Sequence, residues 1–360
     1  MIPKLLTSLS GEAITNKDLW EKFRREECFH LLEHYVYGQR PTEKPDNITF
    51  DVKTINEDLC GMLLRHVDIC CDGFTFKARA FSPKGKTNVP VFVYCMHEAQ
   101  QLKTDIDNEP NNLFVPIADI AKRGYGVIVY YANEIYPEHH YYPNHEKGII
   151  KHYSPNRDKR CDDHWSTISA WAFAASRVAD FIETDQMFDI NKMAVCGHSR
   201  GGKTALWAGA TDKRFSYVIS NSSGCTGAAI LRGKDGEHID FIQQTNWMCE
   251  NYHKYADYEE MLPVDQHFLL AMIAPRLLYV QSSAEDSWSD PVAERLSCRL
   301  ASEVYELYGK KGVVLPDDKD IETDKAYHEG SIGYHQRTGE HAIRAFDWEK
   351  FIDFWEKKGE

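Results

Sequence analysis

The sequence predicts an α/β fold: an open, mostly parallel sheet with helices on both faces, preceded by an N-terminal helical arm. Three observations carry this. Short apolar β-type runs recur along the chain. From about residue 165 onward they alternate with helix-length segments, the pattern of a layered parallel sheet. There is no internal repeat and no low-complexity stretch to suggest another architecture.

Residues 1–45 are read as the arm, because Leu19, Phe23, Leu31 and Leu32 recur at helical spacing and the stretch RPTEKPDN then stops the pattern. Residues 46–360 are read as the main domain. Its first strands are expected at 64–71, 74–83, 89–96 and 125–133, with Asp72-Gly73 turning between the first two. An amphipathic helix is expected at 165–184, a strand at 192–198, a helix at 199–211 and a strand at 215–223. A strand at 275–284, a helix from Pro291 to Tyr308, a strand at 331–337 and a helix at 343–357 complete the series. Two long inserts, 134–164 and 224–266, lie beside the carboxyl edge of this sheet, where such folds bind ligands.

Of 360 residues, 42% are hydrophobic and 27% charged, which suits a soluble globular chain. A net charge of -13 argues against nucleic acid or an anionic membrane surface as partner. No run approaches the apolar length of a membrane span. The first residues lack the apolar core of a signal peptide, so a cytoplasmic location is expected. The ten cysteines include no C-x-x-C pair and read as reduced thiols.

Residues 197–204, GHSRGGKT, fit two motifs at once. G-x-S-x-G around Ser199 is the nucleophile elbow of α/β-hydrolases. G-x-x-x-x-G-K-T ending at Thr204 is a phosphate-binding loop. The second needs a strand ending in Asp to hold magnesium, but 215–220 leads into Asn221, and 91–95 leads into Met96 and His97. The first needs a base and an acid, because a serine hydroxyl is a poor nucleophile unaided. Both follow in the order that an α/β-hydrolase uses: Asp286 or Asp290 after the penultimate strand, then His341 after the last. His335 competes with His341 but lies within the strand. Lys203, four residues past Ser199 on the same helix, is suited to an anion or to sugar hydroxyls, or is an ordinary solvated lysine.

With these residues in place, the chain resembles the glucuronoyl esterases of carbohydrate esterase family 15, nearer their bacterial branch. The likeness runs over residues 190–357, through CGHSRGGKTALWAGATDKRF, SNSSGCTGAA, LPVDQHFLLAMIAPRLLYVQSSAEDSWSDP and GYHQRTGEHAI. It implies an α/β-hydrolase fold, no cofactor or metal, and hydrolysis of esters between 4-O-methyl-glucuronic acid on xylan and lignin alcohols. It further implies Ser199 as nucleophile, Arg200 in the oxyanion hole, Lys203 and Trp288 on the sugar, and His341 as base. The family's usual acid, a Glu after the next strand, is replaced here by Ser222, and Asp286 is the best match for the acid in some bacterial members. Gln243, Gln244 and Trp247 lie in the region that touches sugar. A deacetylase of xylo-oligosaccharides is the alternative on the same triad, and a carbohydrate-binding protein without activity is the alternative of another class.

His139, His140, His145, His152 and His164 match no zinc spacing and read as a polar loop over the site. Trp165 reads as packing.

Overall fold

The computed structural model of the protein describes residues 1–138, 147–154 and 161–359. Among these, one ten-stranded sheet runs in the order β1-β2-β3-β5-β4-β6-β7-β8-β10-β9. Its strands are β1 (Ile48–Leu59), β2 (Met62–Cys71), β3 (Phe74–Pro83), β4 (Val89–Met96), β5 (Gly126–Tyr131), β6 (Phe188–His198), β7 (Phe215–Asn221), β8 (Leu277–Ser283), β9 (Ala326–Tyr327) and β10 (Ile332–Arg337). The first three form an antiparallel meander, and β3 pairs antiparallel with β5. From β5 across to β10 every pairing is parallel. The central strands are buried on both faces, which is why they read as unbroken apolar runs such as VFVYCM and GVIVYY.

Strand β1 was not expected. Asp51, Lys53, Glu57 and Asp58 break any apolar alternation, and most of the strand is exposed. That composition is a property of its edge position, where charge discourages pairing with another chain. The two-residue β9 is likewise too short to leave a pattern.

Four helices matter for the site: α1 (Thr167–Ile182), α2 (Arg200–Thr211), α3 (Pro291–Leu307) and α4 (Ala345–Gly359). Helix α1 corrects its amphipathic expectation, since all 16 of its residues are buried. Its polar residues are paired internally: Arg177 meets Asp180 at 2.6 Å, Arg214 meets Asp180 at 2.7 Å, and the Trp207 indole donates to Ser169 Oγ. Polar residues on a helix therefore faced protein rather than water.

The N-terminal arm is helical only from Lys17 to Tyr37 and alternates α and π turns. Asn16 caps its start by accepting from the Asp18 and Leu19 N–H groups. Trp20, Cys28, Leu32 and Tyr37 belong to the same apolar core as Trp171 and Trp207. Tyr37 stacks on Trp207 at 4.4 Å between ring centres, and its hydroxyl donates to the Thr226 carbonyl at 2.6 Å. Among the described residues no helix is long and apolar enough to cross a membrane, and all ten cysteines are unpaired.

His335 is part of the core. Its Nε2 meets Asp347 at 2.9 Å and its Nδ1 meets the Tyr279 hydroxyl at 3.0 Å. Asp347, at the start of α4, also accepts from the Arg344 N–H at 2.7 Å. This knot fixes α4 to the last parallel strand. Asp347→Ala is expected to cost about 3–5 kcal/mol, the usual penalty for stripping one partner from a buried pair. Urea unfolding measures it, and a loss within the error of the extrapolation would show that the knot does not hold α4.

Candidate active site

Strands β6, β7, β8 and β10 end side by side, with His198 opposite Asn221, Asn221 opposite Gln281, and Gln281 opposite His335. The loops that follow those ends carry Ser199, Ser222, Asp286 and His341. Ser199 lies between β6 and α2 at φ 56°, ψ -126°, a left-handed conformation that side chains rarely adopt. The glycines around it are needed for space. A Cβ on Gly197 would lie 2.0 Å from the Gly201 carbonyl oxygen, and one on Gly201 would lie 2.9 Å from that of Cys95. The turn is locked by Ser199 N–H donating to the Asn221 carbonyl at 2.9 Å.

His341 Nδ1 meets Asp286 Oδ2 at 2.5 Å. Asp286 is buried, and it also accepts from the Ser289 N–H at 3.1 Å. Burial pushes its carboxyl up, but the hydrogen bond and charge of His341, with the bonds from Ser289, outweigh this and hold it below the ordinary value. Asp290 is used otherwise: it caps α3 by accepting from the Val292 and Ala293 N–H groups, and takes Asp235 N–H at 2.8 Å. The ring of His341 lies 4.6 Å from that of His198, the residue before Ser199. His198 in turn meets Asn221 Oδ1 at 2.6 Å. Among the described residues Ser199 Oγ has no hydrogen-bond partner; nucleophile–base contacts often tighten only in the Michaelis complex.

Arg200 is partly exposed and pairs with Glu138 at 2.7 Å. Its guanidinium lies 5.4 Å from the ring centre of Trp247. As the first residue of α2, its backbone N–H has no acceptor within the helix. Lys203 is not a solvated lysine. It is 2% exposed, and its Nζ donates to Glu237 and to the carbonyls of Ser223 and Cys225. Trp247 covers it at 5.6 Å. Trp288 is 47% exposed and meets Phe241 edge-on. The two border a cavity of about 520 Å³ that His238, Gln244 and Glu259 also line.

A family model described as "Glucuronyl esterase, fungi" matches residues 121–309. Carbohydrate esterase MZ0003, from an unknown prokaryotic organism, is 34% identical over 98% of this chain and 88% of its own length. The chain belongs to the glucuronoyl esterases of carbohydrate esterase family 15. Its fold is therefore that of an α/β-hydrolase, and its class that of a carboxylic ester hydrolase. The solved glucuronoyl esterase of Solibacter usitatus superposes with a TM-score of 0.89 at 30% identity, covering 99% of this chain and 97% of that one. The 4-O-methyl-glucuronoyl methylesterase 1 of Wolfiporia cocos is 36% identical over 40% of this chain and 38% of its own length.

Ser222, where the resemblance places an acid in many relatives, has φ 43° and donates its hydroxyl to Gln281 at 3.2 Å. A different buried acid lies nearby. Glu294 of α3 accepts from the N–H groups of Ser223 and Gly224 and from the Ser282 hydroxyl. Burial chiefly, and the charge of Asp286, push its carboxyl up to about 7, against those donors. Glu138, His198, Glu237 and Glu294 were missed by sequence reasoning. They stand in loops, at the end of β6 or alone on a helix, so no spacing marks them. Gln243 and Gln244 are exposed and bond to backbone carbonyls of their own insert. Trp165 is buried packing. His139, His140 and His145 lie outside the described residues; His152 and His164 bond to the Asp72 carbonyl and to Ser154. Among the described residues no three His, Cys, Asp or Glu side chains converge as a metal site.

Burial lowers His198 to about 3 and His267 to about 4, from an ordinary 6.5. His97 and His335 are lowered by the same cause. Between those values and 6.5 the unfolded chain binds more protons, so this stability is full above pH 6.5 and is lost as pH falls. Glu294 acts oppositely, since its folded carboxyl holds a proton up to about 7 that the unfolded one releases near 4.5. Five lowered imidazoles, His328 among them, outnumber the three raised carboxyls, Glu33, Glu294 and Glu303. The melting temperature is expected to be lower at pH 5 than at pH 7 by calorimetry, and a higher one at pH 5 would contradict the buried neutral histidines.

Proposed function

We propose that this chain hydrolyses esters of 4-O-methyl-glucuronic acid, as its curated relatives are named for, through a serine acyl-enzyme. The observation that carries the reading is the 2.5 Å contact between His341 and buried Asp286, beside a strained serine elbow. In this reading His341 takes the Ser199 proton as Oγ bonds to the ester carbonyl carbon. Asp286 orients the ring and stabilises the imidazolium. The carbonyl electron pair moves onto oxygen, where the Arg200 N–H and guanidinium stabilise it. Collapse expels the alcohol, which takes the proton from His341. Water, deprotonated by the same ring, then releases the uronic acid.

Trp288, half-exposed beside Phe241, borders the sugar in this reading. Lys203 supports the sugar site from below, through Glu237, whose carboxylate it holds. Xylan-derived uronic esters are the proposed substrate class.

The test uses purified protein on a benzyl glucuronate ester and on acetylated xylo-oligosaccharide. Turnover of the first is expected, and turnover of the second alone would move the assignment to a deacetylase. Ser199→Ala is expected to abolish turnover with the fold intact by circular dichroism. Asp286→Asn is expected to lower kcat by about 10³–10⁴-fold. Asp290→Asn should leave kcat near wild type, since it removes only part of a cap. Equal activity of Asp286→Asn and wild type would remove Asp286 from the triad.

A further inference from the structure

The end of β4 carries a buried imidazole that the reaction above leaves unused. His97 follows Met96, the last residue of β4, and is 5% exposed. Among the described residues neither of its ring nitrogens has a hydrogen-bond partner. Other buried histidines each engage at least one nitrogen: His198 with Asn221, His267 with the Pro3 carbonyl, His335 with Asp347. Leaving a buried donor and acceptor unmet costs free energy, and such a group calls for a reason.

Its place supplies one. Strand β4 lies beside β6 on the side away from β7, β8 and β10. The Cys95 carbonyl runs close enough to touch a Cβ on Gly201, so the end of β4 borders the serine turn. The His97 ring is 6.3 Å from that of His198, which is 4.6 Å from that of His341. Asp286 and His341 thus follow strands on one side of β6, and His97 follows the strand on the other. Burial, then the charges of Arg200, His198 and His341, hold the His97 ring well below its ordinary pKa. A neutral imidazole keeps one N–H to donate. In α/β-hydrolases a backbone N–H of the connection on this flank completes the oxyanion hole. Here that connection carries a side-chain donor as well.

We propose that the His97 imidazole N–H is an oxyanion donor, sharing with Arg200 the oxygen that gains charge when Ser199 attacks. This rests on the serine-esterase reading above. No proton leaves His97 in the cycle: Ser199 Oγ bonds to carbon, the Ser199 proton goes to His341, and the carbonyl pair stays on oxygen until the alcohol departs. The N–H is met only while that oxygen is present, so it favours the transition state over the free enzyme.

Two measurements on the full chain test this: kcat and KM on a benzyl glucuronate ester, and the rate at which a fluorophosphonate labels Ser199. The probe's phosphoryl oxygen occupies the same hole, so labelling reports on His97 even if the glucuronate substrate is wrong. His97→Leu is expected to lower kcat by about 10²-fold and to slow labelling in proportion, with KM within about threefold and no loss of melting temperature. His97→Phe carries the same expectation should the leucine variant not fold. His97→Gln keeps an N–H donor and is expected to recover at least about tenfold of the lost rate. A kcat and a labelling rate within about threefold of wild type in His97→Leu or His97→Phe would overturn the proposal. So would a loss that His97→Gln does not recover, which would make the ring a packing element. No turnover of glucuronate esters by wild type, with His97-dependent labelling, would overturn the substrate and keep the donor.

Discussion

Ser199 holds its conformation only because backbone passes backbone almost in contact. Gly197 and Gly201 are the price of that approach, since a methyl group at either would meet a carbonyl oxygen. From this one crowded turn the rest of the site takes its directions. The serine leaves the sheet edge at the start of α2. One residue on, Arg200 faces the loop of Glu138, and one helical turn on, Lys203 points down to Glu237. Adjacent parallel strands then bring Asp286 and His341 to the same edge. A looser turn would leave each of these groups present and none of them aimed.

Beneath that edge the polar groups are joined in pairs that tie loops to helices. Lys203 joins α2 to the Ser223–Cys225 turn and to Glu237. Glu294 joins α3 to that same turn and to the end of β8. Each buried charge would be costly alone. Together they fix the turn after β7, where Ser222 stands, and leave Asp286 on the neighbouring loop to meet His341.

Much of this was legible in the residues, and the exceptions have physical causes. Strand–helix alternation, the serine turn and the order of acid and histidine follow from patterns that local chemistry imposes. The edge strand β1 was hidden because an edge suppresses the alternation by which strands are found. Lys203 read equally well as solvated, since helical spacing says which face a residue takes and not what covers it. Asp286 was preferred to Asp290 only through the family resemblance, since both lie on one turn; the fold shows that one meets an imidazole and the other caps a helix. His97 gave no signal, because a single histidine after a strand has no spacing to read.

The arm that begins the chain closes against its middle. Tyr37 reaches the Thr226 carbonyl across 189 positions and lays its ring on Trp207 of α2. During synthesis the arm emerges before residues 207 and 226, and its seat exists only once they have followed. Until then Trp20, Leu32 and Tyr37 have nothing of their own to cover them. Non-local contacts of this kind form late and slow the search for the native state. The newly made chain must therefore keep an apolar arm waiting, and the helix that follows Ser199 is clamped from behind only once residue 226 has been made.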